Sequence, residues 1–357
     1  MILSFYDKNF KGLQNNASLV IDNNSYSLIK RGVDLDALSC ACEAFTENIQ
    51  PTFAVVKNDR GNYVYACLAG IPKLNGENKT ELVGSDLKTM LKSDVVLDLT
   101  KSFASVNSFF DYVFKEWLAQ VNRASFDVQL LFSDNVGTVA FEYMKPQAEA
   151  VNIYNAWEDI FAPYLRFYGL FMTTHLDLVE KKVIFSIGKS MHRVKNVKLW
   201  EFGIRDYGKW VATLNETQCI VFNKTTGDLY KGERWVLTSK NQITTDSSLR
   251  DIFPIKRKVI WKEMESQETD AETQTEKIAL LNEGSQEALI ELASCMFNEN
   301  LELTNIQADF ETKFNIYVRK GDKEPYKSLP CGELHYNASG LQKVQVGYRF
   351  TGIEFIL

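Results

Sequence analysis

Three histidines, six cysteines and 46 carboxylates are the residues from which this 357-residue chain would have to assemble catalysis or metal binding. His175, His192 and His335 lie far apart in sequence, and no H-E-x-x-H, G-x-S-x-G or G-x-G-x-x-G pattern occurs. His175 stands beside Thr174 in a β-rich stretch, where a hydrogen-bonded structural imidazole is the expected role. The nearest approach to a phosphate-binding loop is Gly203-Ile204-Arg205-Asp206-Tyr207-Gly208-Lys209-Trp210. It has the G-x-x-x-x-G-K spacing but places Trp where Ser or Thr must hold Mg²⁺. Its bulky residues would also keep backbone amides from wrapping phosphates. Nucleotide binding is not expected.

Of Cys40, Cys42, Cys67, Cys219, Cys295 and Cys331, only the first two are close, as C-x-C. No C-x-x-C pair or neighbouring His completes a zinc spacing, so core packing is the expected use. Adjacent carboxylates such as Glu158 and Asp159 could flank a glycosidic bond, yet a chain this rich in acids brings some together by chance. The sequons at Asn16 and Asn223 carry meaning only in a secreted chain. No catalytic, cofactor-binding or metal-ligating residue is assigned, and no cofactor is expected. Binding or assembly therefore stands ahead of catalysis.

Composition sets the frame for these residues. With 45% hydrophobic and 24% charged residues, the chain can bury cores rather than remain disordered. At about 100–200 residues per domain, its length suits two to four domains. No run of 18 apolar residues exists, the richest stretch being broken by Arg166 and Gly169, so no membrane span is expected. The start, MILSFYDKNF, lacks the basic and apolar regions of a secretory signal, which predicts synthesis and folding in a cytoplasm. The formal charge of -6 speaks against a dedicated or sequence-specific nucleic-acid binder. Between Glu263 and Glu302 stand eleven acidic residues and one basic, Lys277; outside that stretch 39 basic residues face 35 acidic. A solvated helical segment is the plain reading of it.

The elements that would position any site begin as short strands. YSLIKRGV (26–33), FAVVKN (53–58) and YVYACLAGI (63–71) are rich in β-branched and aromatic residues, with a turn at Asp59-Arg60-Gly61-Asn62. The stretch 34–45 fits both a helical face (Leu35, Leu38, Cys42, Phe45) and strand alternation (Leu38, Cys40, Cys42, Ala44). Residues 80–99 read strand, Gly, short helix, strand. Ser85 or Asp86 caps that helix, and Leu87, Met90 and Leu91 form its buried face.

Val106, Phe109, Phe110, Val113, Trp117, Leu118 and Val121 recur at helical spacing behind Ser102 or Ser105, the clearest helix in the chain. A hairpin is expected from 126–132 and 138–144, then a helix near 147–161, then strands over 166–178 and 182–188 joined at Glu180-Lys181. From 189 to 255 the chain reads as β: KLWEFGI, KWVATLN, CIVFN and ERWVLT, with a polar turn from Asn223 to Asp228. A helix around 275–297 carries Ile278, Leu281, Ala288, Leu292 and Cys295 near one face, and 305–357 returns to strands.

The first hundred residues resemble the N-terminal β domain of tail-associated (Tal) baseplate hub proteins of long-tailed bacteriophages. The likeness rests on LSFYDKNFKGLQNN, on YSLIKRGVDLDALSCACEAF and on ELVGSDLKTMLKSDVVLD. In that family a leading F-D-x-N-F strand precedes an L-x-V-x-G-x-D-L-x-x-x-L corner. Here Phe5-Tyr6-Asp7-Lys8-Asn9-Phe10 has one inserted residue, and Val83-Gly84-Ser85-Asp86-Leu87 keeps the corner with Ser for the usual Arg. CIVFNKTTGDLY, QITTDSSLRDIFPIKRKVI and the acidic stretch extend the similar order over nearly the whole chain. Through the resemblance, 38–45 is a strand.

The resemblance implies a β-rich α+β, multidomain protein. A first β-barrel-like domain would span 1–100, an α/β domain 101–188, and a second barrel-like domain 189–255 with 301–357; residues 256–300 would form an acidic helical insert. It implies a non-enzymatic virion component at the tail tip or baseplate of a siphophage with a Gram-positive host such as a lactic acid bacterium, made in the host cytoplasm. Three chains with two barrels each would give a pseudo-sixfold ring, a homotrimer that docks on a hexameric distal tail protein. Tape-measure and receptor-binding proteins would be further partners. The hub would close the tail tube and open to let DNA pass, a passage that an acidic or neutral lumen suits; the segment 263–302 would face that lumen or the solvent. Because the chain ends at Leu357 directly after hub-like strands, no appended lysin is expected. The alternative is a receptor- or carbohydrate-binding tail component.

Overall fold

The computed structural model describes residues 1–13, 18–98, 101, 103–121, 126–133, 152–189, 193–201, 204–207, 215–237, 242–244, 256–264, 274–281, 284, 301–346 and 354–356. Its strands form sheets of fourteen, five, three and two strands, with little helix, so the β-rich α+β class expected from the sequence is the observed one. Among the described residues the large sheet is ordered from Ile204–Tyr207 at one end to Leu19–Val20 at the other, and next to the latter Ile21 makes an isolated antiparallel bridge to Cys42 of strand Ala37–Glu43. That single bridge brings the edges of the first part together, but no continuous ladder among these residues closes the barrel implied by the resemblance.

Strand Phe53–Lys57 shows why the first part folds as it does. Its four leading residues are all buried, because Phe53 and Val55 face one core while Ala54 and Val56 face another. A continuous apolar run is what a strand covered on both faces requires. Strand Ala37–Glu43 instead alternates: Leu38, Cys40 and Cys42 are buried, and Ala37, Ser39 and Glu43 are exposed. The ambiguous stretch is therefore a strand, paired with Ser27–Arg31 on one side and Lys79–Ser85 on the other. At the 58–62 turn, Gly61 takes φ +78°, a left-handed conformation that favours glycine.

Helix Val106–Gln120 buries Val106, Phe109, Phe110, Val113, Phe114 and Trp117. Ser105 caps it, its side chain accepting from the Ser108 N–H while Ser108 reaches back to the Ser105 N–H. Ser105→Ala is expected to cost about 1 kcal/mol in urea unfolding, whereas a cost near zero would mean that core packing alone sets the helix start. Strand Asp127–Phe132 runs parallel to Lys182–Lys189, and the expected second arm of its hairpin, 138–144, lies outside the described residues.

The helix expected over 147–161 is displaced. Residues Asn152–Asn155 form a strand against Asp94–Leu97. Helix then runs from a π turn at Ala156–Phe161 into an α turn at Ala162–Phe167. Ala162-Pro163 can open a helical turn, because Pro lacks only an N–H that is unsatisfied there. The following strands, Leu170–Asp177 and Lys182–Lys189, pair as an antiparallel hairpin.

Two sheets hold the C-terminal half. Arg193–Lys198, Ile204–Tyr207 and the strands of 301–346 join the large sheet, while Asn215–Asn223, Leu229–Leu237, Gln242–Thr244, Lys256–Met264 and Glu354–Ile356 make the five-stranded one. KLWEFGI is not one strand, since Arg193–Lys198 ends where it begins and residues 199–201 turn. Lys256–Met264, inside the stretch read as an insert, is a strand parallel to Asn215–Asn223. Residues 274–281 are helical, but Ile278 is exposed rather than on a buried face. Ala288, Leu292 and Cys295 lie outside the described residues.

Candidate functional site: an ionic junction where three parts of the chain meet

Among the described residues the densest set of buried charges lies where three parts of the chain meet: the first β part (1–13 and 18–98), the helix-bearing part (103–121, 126–133 and 152–189) and the C-terminal strands of the large sheet (193–198, 204–207 and 301–346). Its centre is Lys88, in the 3₁₀ helix Leu87–Leu91, with only 1% of its side chain exposed. Lys88 Nζ donates to the main-chain carbonyls of Asp34 at 2.6 Å and Arg31 at 2.9 Å. It also lies 3.1 Å from the Asp86 carboxylate and 3.5 Å from that of Asp36, with the Trp157 ring 5.8 Å away. Buried charge is tolerated only with such complete pairing.

The corner Gly84-Ser85-Asp86-Leu87 builds this cage. Asp86 Oδ1 accepts from the Lys88 N–H at 2.9 Å as the helix cap, and Asp86 Oδ2 accepts from the Asp36 N–H at 2.7 Å. Asp36 Oδ1 accepts from the Arg31 N–H at 2.6 Å. The loop joining strands Ser27–Arg31 and Ala37–Glu43 is therefore tied to the corner at several points. Leu87 and Leu91 hold the corner in the core, as expected; Asp86 rather than Ser85 is the cap.

Two carboxylates around one ammonium leave one negative charge in excess. Burial pushes the Asp36 carboxyl up to about 6, against the opposing pull of Lys88. Burial also works against the charge on Lys88, but Asp36 and Asp86 outweigh it and hold its pKa above the ordinary value. For Asp36, a folded-state pKa above the unfolded 3.8 means that its contribution is fully present below 3.8 and lost as pH rises through about 6. Asp36→Asn keeps an acceptor for the Arg31 N–H. It is expected to be more stable than wild type by about 1–2 kcal/mol at pH 7.5 and to lose that advantage at pH 4; urea titrations at the two pH values measure this, and an advantage that grows toward acid would contradict it.

The tied loop reaches both other parts. Gly32 O accepts from the Met172 N–H at 2.8 Å, and Asp34 pairs with Arg166. Arg31 Nε meets Glu333 Oε1 at 2.7 Å, and Glu333 Oε2 lies 3.0 Å from His335 Nε2. Lys92 and Glu158 pair at 2.8 Å on the rim. These pairs surround a cleft of about 460 Å³ floored by Trp157 and Leu35. Burial opposes ionisation of Glu333, but the hydrogen bonds of His335 and Arg31 prevail and hold its carboxyl below the ordinary range.

The residues singled out from the sequence are not brought together here, except in part. His335 joins the junction through Glu333, whereas His175 lies in the three-stranded sheet with its ring 4.9 Å from that of Tyr63; His192 lies outside the described residues. Glu158 pairs with Lys92, and Asp159 accepts from the Asn155 N–H at 2.6 Å, so both carboxylates serve the local structure. Cys40, Cys42, Cys67 and Cys331 are buried and unbridged, and burial pushes the Cys40 and Cys42 thiols up to about 12. Residues 204–207, inside the G-x-x-x-x-G-K pattern, form a strand against Leu301–Thr304 rather than a loop. Among the described residues no cluster of His, Cys, Asp and Glu could hold a metal ion, and no helix is long and apolar enough to cross a membrane. The sequence reading missed Asp34, Asp36 and Lys88. The available signal was the D-x-D spacing before one strand and D-x-K after another. The arrangement joins parts of the chain.

No family model matches the sequence, and no curated protein matches it. Among solved structures, the chain is similar to the tail protein from Neisseria meningitidis MC58, with a TM-score of 0.51 at 11% identity over 99% of each chain. It is also similar to prophage tail protein gp18 from Listeria monocytogenes EGD-e, with a TM-score of 0.51 at 8% identity over 97% of this chain and 94% of that one. At such identities the likeness is one of fold, shared with a tail protein and a prophage tail protein over nearly the whole length.

Proposed function

We propose that this chain is a structural component of a phage tail, the hub of the tail tip or baseplate. The observation that carries the reading is the fold shared end to end with two tail proteins. The Val83-Gly84-Ser85-Asp86-Leu87 corner supports it, since the residues behind the hub resemblance are those that build the junction. In this reading three chains form a ring that docks on a hexameric distal tail protein, caps the tube and opens for DNA. Tape-measure and receptor-binding proteins attach to the same assembly, in a siphophage of a Gram-positive host. The work is assembly rather than catalysis, and a firmly tied junction serves it by fixing the angle between the parts of each ring segment.

The test is to mix the purified chain with a distal tail protein and follow co-elution and ring formation by electron microscopy. The expected product is a ring with threefold symmetry on its free side. Binding to cell-wall glycan without any complex would instead favour the receptor- or carbohydrate-binding alternative, for which Trp200, Trp261, Tyr63 and Tyr326 are exposed aromatic rings among the described residues.

A further inference from the structure

We propose that strand Ser27–Arg31 is a hinge, and that Arg31 and Glu333, the latter's carboxylate held by His335 of its own strand, form the latch holding the C-terminal strands 193–198, 204–207 and 301–346 against the rest of the chain. The first β part and the helix-bearing part share one core, in which Phe53, Val55 and Leu87 pack with Phe109, Phe110 and Phe185. They must move together. The C-terminal strands have a core of their own, built on Phe314, Leu334, Val344 and Val346. Among the described residues their ladder to the large sheet has four residue pairs: Arg31 with Glu333, Lys30 with Leu334, Ile29 with His335 and Leu28 with Tyr336; beside it Phe310 stacks 6.5 Å from Phe171, and Tyr336 and Ala338 pack against the core of the first β part.

The seam is marked in the strand itself. In Lys327–Asn337 the register against Gly340–Val346 shifts between Cys331 and Glu333, just before the seam residues, and again between His335 and Tyr336, among them, while the pairing with Ser27–Arg31 runs without a shift. Such bulges bend a strand and break its ladder locally. Side chains complete the joint on both faces. Lys30 Nζ lies 5.7 Å from the rings of Tyr65 and Tyr336, one from each side. On the other face Glu333 takes Arg31 and His335. The charged groups around Glu333 are these two, the Lys343–Glu302 pair on the neighbouring strands, and the Asp34–Arg166 and Lys92–Glu158 pairs around the cleft. The last three pairs are closed among themselves and His335 belongs to Glu333's own strand, which leaves Arg31 as the charged group whose loss frees the seam. Protonation of Glu333 releases the latch, and since its folded-state pKa is depressed, that contribution is lost only as pH falls below the ordinary 4.5.

That such a swing would widen or narrow a tail tube rests on the function proposed above; the hinge itself does not. Native-state hydrogen exchange on the full chain at pH 7 tests it. The amides that bond across the seam between 28–30 and 333–336 are expected to open as one group, with protection about tenfold or more below that of 53–57 and 106–120, while 312–317 and 340–346, whose ladders move as a body, keep theirs. Arg31→Met should lower protection in that group by about a further tenfold and leave 53–57 and 106–120 unchanged. Should that variant not fold, Glu333→Gln provides the same comparison, and wild type alone already decides the order of opening. Equal protection in the two groups, or a loss spread evenly over both, would overturn the hinge. A hub whose strands open only globally would fail this test yet still form rings, so the two readings fail separately.

Discussion

Lys88→Met is expected to lower the stability of the folded chain by about 3–5 kcal/mol at pH 7, the cost of leaving buried carboxylates without their cation. Met has similar length and is apolar, so little volume is lost. What is lost is the ammonium that faces Asp36 and Asp86, offsets one of their two charges and donates to the carbonyls of Arg31 and Asp34. The deficit should shrink toward pH 5, where an unpaired buried carboxyl can take up a proton. Adding Asp36→Asn and Asp86→Asn to Lys88→Met should recover part of it, because most of the cost is uncompensated charge rather than lost attraction. Urea unfolding of the single and triple variants measures both effects. A cost below about 1 kcal/mol for Lys88→Met would show that water reaches the cage.

Gly84→Ala is the second large effect, expected at about 3 kcal/mol, near the upper end of overpacking costs. A Cβ on Gly84 would collide with Cys67 Sγ and come within 3.2 Å of Cys67 Cβ and Leu38 Cδ2. Cys67 and Leu38 lie in the core behind strand Lys79–Ser85, both essentially unexposed, so neither can swing aside. The glycine is required for close packing of the corner rather than for a turn. Pairing it with Cys67→Ala removes the colliding sulfur, and the double variant should regain more than half of the loss in a double-mutant cycle. Simple additivity of the two single changes would mean that the strain lies elsewhere.

The fold was legible in the sequence where one element decides its own conformation. The stripe Val106, Phe109, Phe110, Val113 and Trp117 announces its helix, and FAVV announces a strand buried on both faces. Stretch 37–43 was open because Leu38 and Cys42 satisfy both periods; sheet neighbours on both sides decide it. Within the expected helix 147–161, Asn152–Asn155 is a strand because a distant partner, Asp94–Leu97, claims it. Ile278 lies on a face that periodicity marks as apolar, yet it is exposed.

The junction was less legible for the same reason. Arg31 and Glu333 are 302 residues apart, and no local pattern pairs them. Lys88 sits between two buried leucines, where a lysine ordinarily extends its charge to solvent. Only the fold encloses it, by bringing the loop carbonyls of Arg31 and Asp34 to its tip.

The central claim is that this chain is the repeating segment of a threefold ring. Static light scattering of the purified chain tests it most directly, alone and with the distal tail protein present. The account predicts a particle of three times 40.8 kDa, formed alone or on the partner. A mass of 40.8 kDa in both conditions would contradict it.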